Sequence, residues 1–199
     1  MAKVDVFEDI NLVNNVLKGD VDSFNTIVNK YELMVVKFVY NILKQKEASE
    51  DITQEVFITV YNKLYMYNKK FKFSNWILQI AKNKTIDYIR KHNKICESNI
   101  DEAYHLSSKD MSPEQIAEYK ETKEDIKKYI DKLNENDKQI LILRYSQNLT
   151  FSDIAEILKM TESTVKGRYY RIRENYKAYV KEKEVKYKWW IVIYLKVNY

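Results

Sequence analysis

Breakers are nearly missing from this 199-residue chain, which holds 2 Gly and 1 Pro. That scarcity excludes an all-β chain, whose many tight turns need those residues, and favours helices joined by short turns. Cysteine is as rare. The single Cys96 excludes an internal disulfide and fits a reducing cytoplasm. With 2 His and that one cysteine there is no zinc cluster, and no cofactor or metal is expected. Long apolar runs are absent too. The longest, Trp189 to Leu195, is seven residues, too short to span a bilayer. The opening MAKVDVFEDI lacks the apolar core of a signal peptide. The chain is therefore expected in the cytoplasm, without stable membrane insertion.

What is present is charge, sorted by sign. The formal net charge is +5, but its distribution says more. Glu47, Glu50, Asp51 and Glu55 crowd one short stretch. From Lys63 to Lys94 nine Lys or Arg stand against one acid, Asp87. From Glu97 to Asp125 there are nine acids and three lysines. From Thr161 to Lys188 nine Lys or Arg stand against four Glu. Two basic blocks favour a polyanion, nucleic acid, held at two separate places.

Apolar periodicity predicts an all-α chain of two small helical domains. A short helix is expected over Asp9–Leu17, closed by Gly19, and a core helix over Asp22–Leu43 that turns Ile27, Tyr31, Val35 and Phe38 to one face. A third helix, Glu47–Leu64, buries Ile52, Val56, Val60 and Leu64. Its acids suit the helix dipole, yet Asp51, Gln54, Glu55 and Ile58 also form a second stripe that could dock a basic partner helix. Tyr65–Phe73 shows no helical period and mixes Lys with Tyr65, Tyr67 and Phe71. Ser74 is expected to cap a helix from Asn75 to about His92, with Trp76, Ile77, Ile80, Ala81, Tyr88 and Ile89 inward. Gln79, Lys82, Asn83 and Thr85 or Ile86 then face partly outward. Lysines could neutralise phosphates and aromatic faces could stack on unpaired bases. Phe73 and Trp76 could equally fill the core.

The expected domains are 1–94 and 113–181, joined by an acidic linker over 95–112 and followed by a tail over 182–199. The second domain opens on Ser112-Pro113-Glu114-Gln115, a capping signature. Asn134 starts the next helix. Thr150, with Asp153, caps a short helix to Leu158, and Glu162 starts a longer one after a three-residue turn. That is helix-turn-helix spacing. With Val165, Tyr169, Ile172 and Tyr176 inward, the outer face holds Ser163, Lys166, Gly167, Tyr170 and Arg171. Lys166, Arg171 and Ser163 offer hydrogen bonds to base edges, and Gly167 permits close approach. Arg168 and Arg173 suit phosphates. A merely solvated basic face is the alternative. The apolar tail WWIVIYLKVNY docks on its own domain or on a regulator or membrane surface.

Four segments, DITQEVF, FSNWILQIAKNKTIDYIR, LNENDKQILILRY and LTFSDIAEILKMTESTVKGRYYRIR, carry a family resemblance. Over roughly residues 10–180 the chain resembles a bacterial RNA polymerase sigma factor of the extracytoplasmic-function type. The resemblance implies a non-enzymatic protein that binds core RNA polymerase and directs promoter-specific initiation. It implies that Asp51, Gln54, Glu55 and Ile58 meet the β′ clamp helices. Lys70, Phe71, Lys72, Phe73, Ser74, Asn75, Trp76, Gln79, Lys82 and Asn83 would take the −10 element. Ser163, Thr164, Lys166, Gly167, Arg168, Tyr170 and Arg171 would meet the −35 element. The partners implied are core polymerase, promoter DNA and a possible anti-sigma factor. Against the family pattern, Glu162 and Ser163 stand where Pro and Gly are frequent, and the apolar tail is extra.

Two other classes fit parts of the chain. A stand-alone helix-turn-helix regulator explains residues 134–176 and leaves the first domain idle. A metal-dependent nuclease would need Glu50, Asp51 and Glu55 together, but adjacent residues point about 100° apart on a helix.

Overall fold

The computed structural model describes residues 2–92 and 124–182. All regular elements among them are helical. The chain divides into two compact units, Met1–Ser98 and Asn99–Tyr199. The expected linker, the Ser112 cap and the apolar tail lie outside the described residues.

The first unit contains α1 (Ala2–Leu17), α2 (Val21–Leu43), α3 (Lys46–Lys63), a short 3-10 turn (Leu64–Met66) and α4 (Phe73–His92). The helix expected from Asp9 runs back to Ala2, because no breaker stands in between. Gly19, at φ 99°, lets the chain leave α1 in a conformation that side chains resist. Asp20 then caps α2: its Oδ1 accepts from the Asp22 and Ser23 N–H groups at 3.0 and 3.3 Å. The Ser23 hydroxyl and backbone bonds hold the Asp20 carboxyl below its ordinary pKa. Lys44 ends α2 in the left-handed region and donates to the Tyr40 carbonyl.

The core of this unit is the face that the apolar period draws. Val13, Ile27, Val35, Phe38, Val39, Val56, Val60, Ile77, Leu78 and Ala81 are all fully buried. α2 packs on α1, α3 and α4, and α3 packs on α4. A polar clasp fixes α1 on α2. The Tyr31 hydroxyl donates to Asp9 at 2.6 Å, and Lys30 reaches both Asp9 and Glu8. Burial opposes the charge on Lys30, but Glu8 and Asp9 outweigh it and raise its pKa.

Three local expectations change here. Ser74 does not cap α4. The helix already includes Phe73, and the Lys72 carbonyl accepts from both the Asn75 and Trp76 N–H groups, so the first turn closes earlier. Thr85 faces inward, because its hydroxyl bonds the Ala81 carbonyl at 2.8 Å and loses its need for water. Tyr67, expected among exposed aromatics, is 7% exposed and donates to the Phe71 carbonyl.

The second unit holds the described helical residues 124–131 (α5), then α6 (Glu135–Tyr145), α7 (Phe151–Leu158) and α8 (Glu162–Glu182). Asn134 caps α6 through the Asp137 N–H. Thr150 and Asp153 complete the capping box of α7. Lys159, at φ 54°, turns the chain out of α7, and the Thr161 hydroxyl accepts from the Thr164 N–H at the start of α8. Val165, Tyr169, Ile172 and Tyr176 are buried as their period requires, against Ile140, Leu143, Ile154 and Ile157. Tyr129 ties α5 to α8 by donating to the Ile172 carbonyl at 2.8 Å, and the Tyr145 and Tyr169 hydroxyls meet at 2.8 Å.

Candidate nucleic-acid interface

α3 is built with two faces. Ile52, Val56 and Val60 point into the core, which forces Asp51, Gln54, Glu55 and Ile58 outward, and all four are exposed. Ile58 is 62% exposed, a large apolar side chain left in water on an otherwise polar stripe. Beside it runs a groove of about 370 Å³ between α2 and α3, lined by Phe24, Val28, Phe57, Ile58 and Tyr61, with Gln54 at its rim. The groove escaped sequence reading, because a third of its lining belongs to α2. Glu55 is not solitary: Lys84 of α4 lies 2.9 Å from it.

The basic, aromatic segment separates into a buried half and a presented half. Tyr67, Phe73 and Trp76 form one cluster with ring centres 4.9–5.7 Å apart, and Tyr31 closes it from α2. Phe73 and Asn75 are each 1% exposed. The expectation that these two side chains meet a strand is therefore corrected: both point into the unit and hold the loop. Trp76 is half-buried. Phe71, Tyr65 and Met66 are exposed, and Lys69, Lys70 and Lys72 stand among them. Lys69 anchors the loop to Asn14 of α1 at 2.6 Å. Met66 went unnoticed in the sequence, where a lone methionine carries no period. Along α4, Trp76, Gln79 and Asn83 share a face by their spacing, with Lys82 beside it and Ser74 in the first turn. Trp76, Gln79 and Asn83 thus share one side of α4, and Phe71, Lys70 and Lys72 are exposed in the segment that leads into it.

On α8, Ser163, Thr164, Lys166, Gly167, Tyr170 and Arg171 are exposed and Arg168 is half-buried. The face is basic but internally paired. Lys166 lies 2.7 Å from Glu162, whose hydrogen bond raises the pKa of the ammonium. Thr161 meets the hydroxyls of Ser163 and Thr164 at 3.0 and 2.8 Å. Arg168 and Arg171, expected as solvent-facing cations, both reach back to Asp137 of α6, at 3.0 and 3.4 Å. Sequence reading missed Asp137 because a carboxylate three residues after a cap looks like part of the cap. Nothing lies within 4 Å of a Cβ built on Gly167, so packing within the unit does not demand a glycine there. Tyr170 stands exposed beside Phe151 and Tyr169.

Among the described residues no three His, Cys, Asp or Glu side chains come together as a metal site, and no helix is long and apolar enough to cross a membrane. Glu50 pairs instead with Lys46.

Comparison with known proteins covers both units. The family model for sigma-70 region 2 matches residues 27–95, and that for sigma-70 region 4 matches residues 123–175. The extracytoplasmic-function (ECF) RNA polymerase sigma factor SigW of Bacillus subtilis is 32% identical over 170 residues, covering 81% of this chain and 91% of SigW. SigM of the same species is 30% identical, covering 78% of this chain and 94% of its own. The ECF sigma-E factor of Escherichia coli K12 is 29% identical, over 82% and 89%. Among solved structures, CnrH in complex with the cytosolic domain of CnrY aligns with a TM-score of 0.63 at 17% identity, over 88% of this chain and 98% of CnrH. RpoE of Bartonella quintana, in complex with the anti-sigma factor NepR, aligns at 0.57 and 18% identity, over 79% and 96%. These two share the all-α fold. A stand-alone regulator would account for the second unit alone, whereas the matches span both. The chain belongs to the ECF group of the sigma-70 family and is a sigma factor that directs transcription initiation.

Proposed function

We propose a division of labour among three surfaces of this sigma factor. The stripe Asp51, Gln54, Glu55 and Ile58 seats the chain on core RNA polymerase, at the β′ clamp helices. Lys70, Phe71, Lys72, Ser74, Trp76, Gln79, Lys82 and Asn83 take the opened −10 element. Ser163, Thr164, Lys166, Gly167, Arg168, Tyr170 and Arg171 meet the duplex −35 element. Polymerase supplies the chemistry; this chain supplies the address and the strand opening. The sorting of polar and apolar groups on α3 carries the reading. A helix that buries Ile52, Val56 and Val60 needs no exposed Ile58 among acids for its own stability. An exposed apolar residue with acids on one side and an apolar groove on the other is what a partner helix with complementary charge would desolvate.

Support for the −10 assignment is chemical. Exposed Phe71 and half-buried Trp76 are aromatic rings on which unpaired bases can stack, and the neighbouring lysines neutralise phosphates. The anti-sigma complex known for the Bartonella RpoE supports a protein inhibitor of the same class for this chain.

The test is direct binding to core polymerase. Asp51→Lys with Glu55→Lys is expected to weaken binding at least about tenfold, since like charges then face each other across the interface. The circular dichroism of the double variant should match the parent. Unchanged polymerase affinity would remove the stripe from the interface.

A further inference from the structure

Among the described residues Asp137 is the buried carboxylate that reaches the arginines of α8. Its side chain is 5% exposed. The N-cap fixes it: Asn134 Nδ2 donates to Oδ2 at 2.8 Å, while the Asp137 N–H donates to Asn134 Oδ1 at 3.1 Å. From α8, Arg168 Nη1 donates to Oδ1 at 3.0 Å and Arg171 Nη2 to Oδ2 at 3.4 Å. Two guanidinium groups three residues apart thus share one carboxylate, one on each oxygen.

Stability alone does not call for this arrangement. A buried carboxylate is costly to desolvate, and an apolar side chain in its place is often as stable or more so. One arginine would suffice to pair it. Arg171 instead brings a side chain that is 58% exposed back to the carboxylate at a long 3.4 Å. A guanidinium has five N–H donors in one plane. Each arginine gives one of its η nitrogens to Asp137, a bond that restrains the group and does not use its other donors.

We propose that Asp137 is a positioning residue for duplex recognition: it holds Arg168 and Arg171 as a preset pair on α8 and offsets one of their two charges. The proposal rests on the reading of α8 as the −35 surface. Presetting spares the ordering of two long side chains on binding. It favours the base sequence that matches the pair, while the offset charge weakens attraction to any phosphate.

The experiment uses the full chain bound to core polymerase and a library of promoter duplexes randomised at the upstream element. The wild-type complex is expected to select particular bases there. Asp137→Asn keeps the shape and removes the charge. It is expected to flatten the preference about tenfold at the positions under the two arginines, since immobilising two side chains then falls to the binding step. Binding to unrelated duplex should hold or rise, with a log–log salt slope steeper by about one, as one more cation is left unbalanced. In an Arg168→Ala, Arg171→Ala background, Asp137→Asn should change the preference no further.

Uniform loss across all upstream positions, or an unaltered preference, would overturn the proposal, the first by showing a packing role. Absence of any upstream preference in the wild type would overturn the reading of α8 itself, and it shows before any substitution. If Asp137→Asn fails to fold, the wild-type chain still decides. Its Arg168 and Arg171 η nitrogens should show hindered rotation by NMR, and fast averaging at both overturns the assignment.

Discussion

Lys84 Nζ stands 2.9 Å from Glu55 Oε2, a bridge from α4 onto the acidic stripe of α3. It joins the surface proposed for polymerase to the helix proposed for the melted strand. Glu55 is exposed and Lys84 is half-buried at the surface, so the pair contributes at most about 1 kcal/mol. Glu55→Ala is therefore expected to change unfolding free energy by less than about 1 kcal/mol in urea titration. The same variant should lose polymerase affinity severalfold. A stability loss that accounts for the lost binding would make Glu55 a structural residue.

The aromatic cluster separates structure from function within seven residues. Phe73→Ala opens a cavity in the core and should cost about 3–5 kcal/mol. Tyr67→Phe forfeits the bond to the Phe71 carbonyl and should cost about 1 kcal/mol. Phe71→Ala, at an exposed position, should leave thermal unfolding nearly unchanged and lower promoter opening, measured by permanganate reactivity of unpaired thymines. Full opening by Phe71→Ala would remove that ring from the strand-binding surface.

Gly167 allows the opposite signs to appear in one variant. Gly167→Ala adds a methyl into open space on a helix, so α8 should gain about 1 kcal/mol. If the DNA backbone or a base edge approaches α8 there, affinity for the upstream duplex should fall at the same time. A more stable variant with undiminished affinity would place the DNA away from Gly167.

The second unit should weaken in alkali. Burial pushes the Tyr129 hydroxyl up to about 12, with the Asp137 carboxylate adding to it, and burial likewise pushes Tyr176 to about 12. An unfolded tyrosine ionises near 10. Stability from these two is intact below about pH 10 and drains as pH climbs toward 12, because only the unfolded chain has yet released those protons. Tyrosinate absorbance should show ionisation of both delayed until the unit unfolds. Ionisation of both near 10 in a folded chain would contradict their burial.

The parts that were legible in the sequence are those written in local code. Val165, Tyr169, Ile172 and Tyr176 repeat at three- and four-residue steps, and the structure buries all four. Asn134 and Thr150 announce their helices because a cap is satisfied within three residues. Asp51, Gln54, Glu55 and Ile58 follow from the same period: once Ile52 and Val56 go inward, their neighbours have nowhere else to point. The misses share a different cause. Thr85 hides its polarity in a bond one turn back, so its residue type misleads. Tyr67 and Phe73 sit among lysines, and neighbours in sequence do not say which way a ring turns. Asp137 finds its cations 31 and 34 residues away, a relation that no periodicity carries.

Mapping of transcript 5′ ends tests the division of labour most directly. Core polymerase would be supplied with the wild-type chain, with Asp51→Lys and Glu55→Lys, or with Phe71→Ala, on the same genomic template. The account predicts new start sites with a shared pair of upstream elements for the wild type, their disappearance with the stripe variant, and the same sites at reduced opening with Phe71→Ala. Undiminished start sites with the stripe variant, on the same promoters, would contradict it.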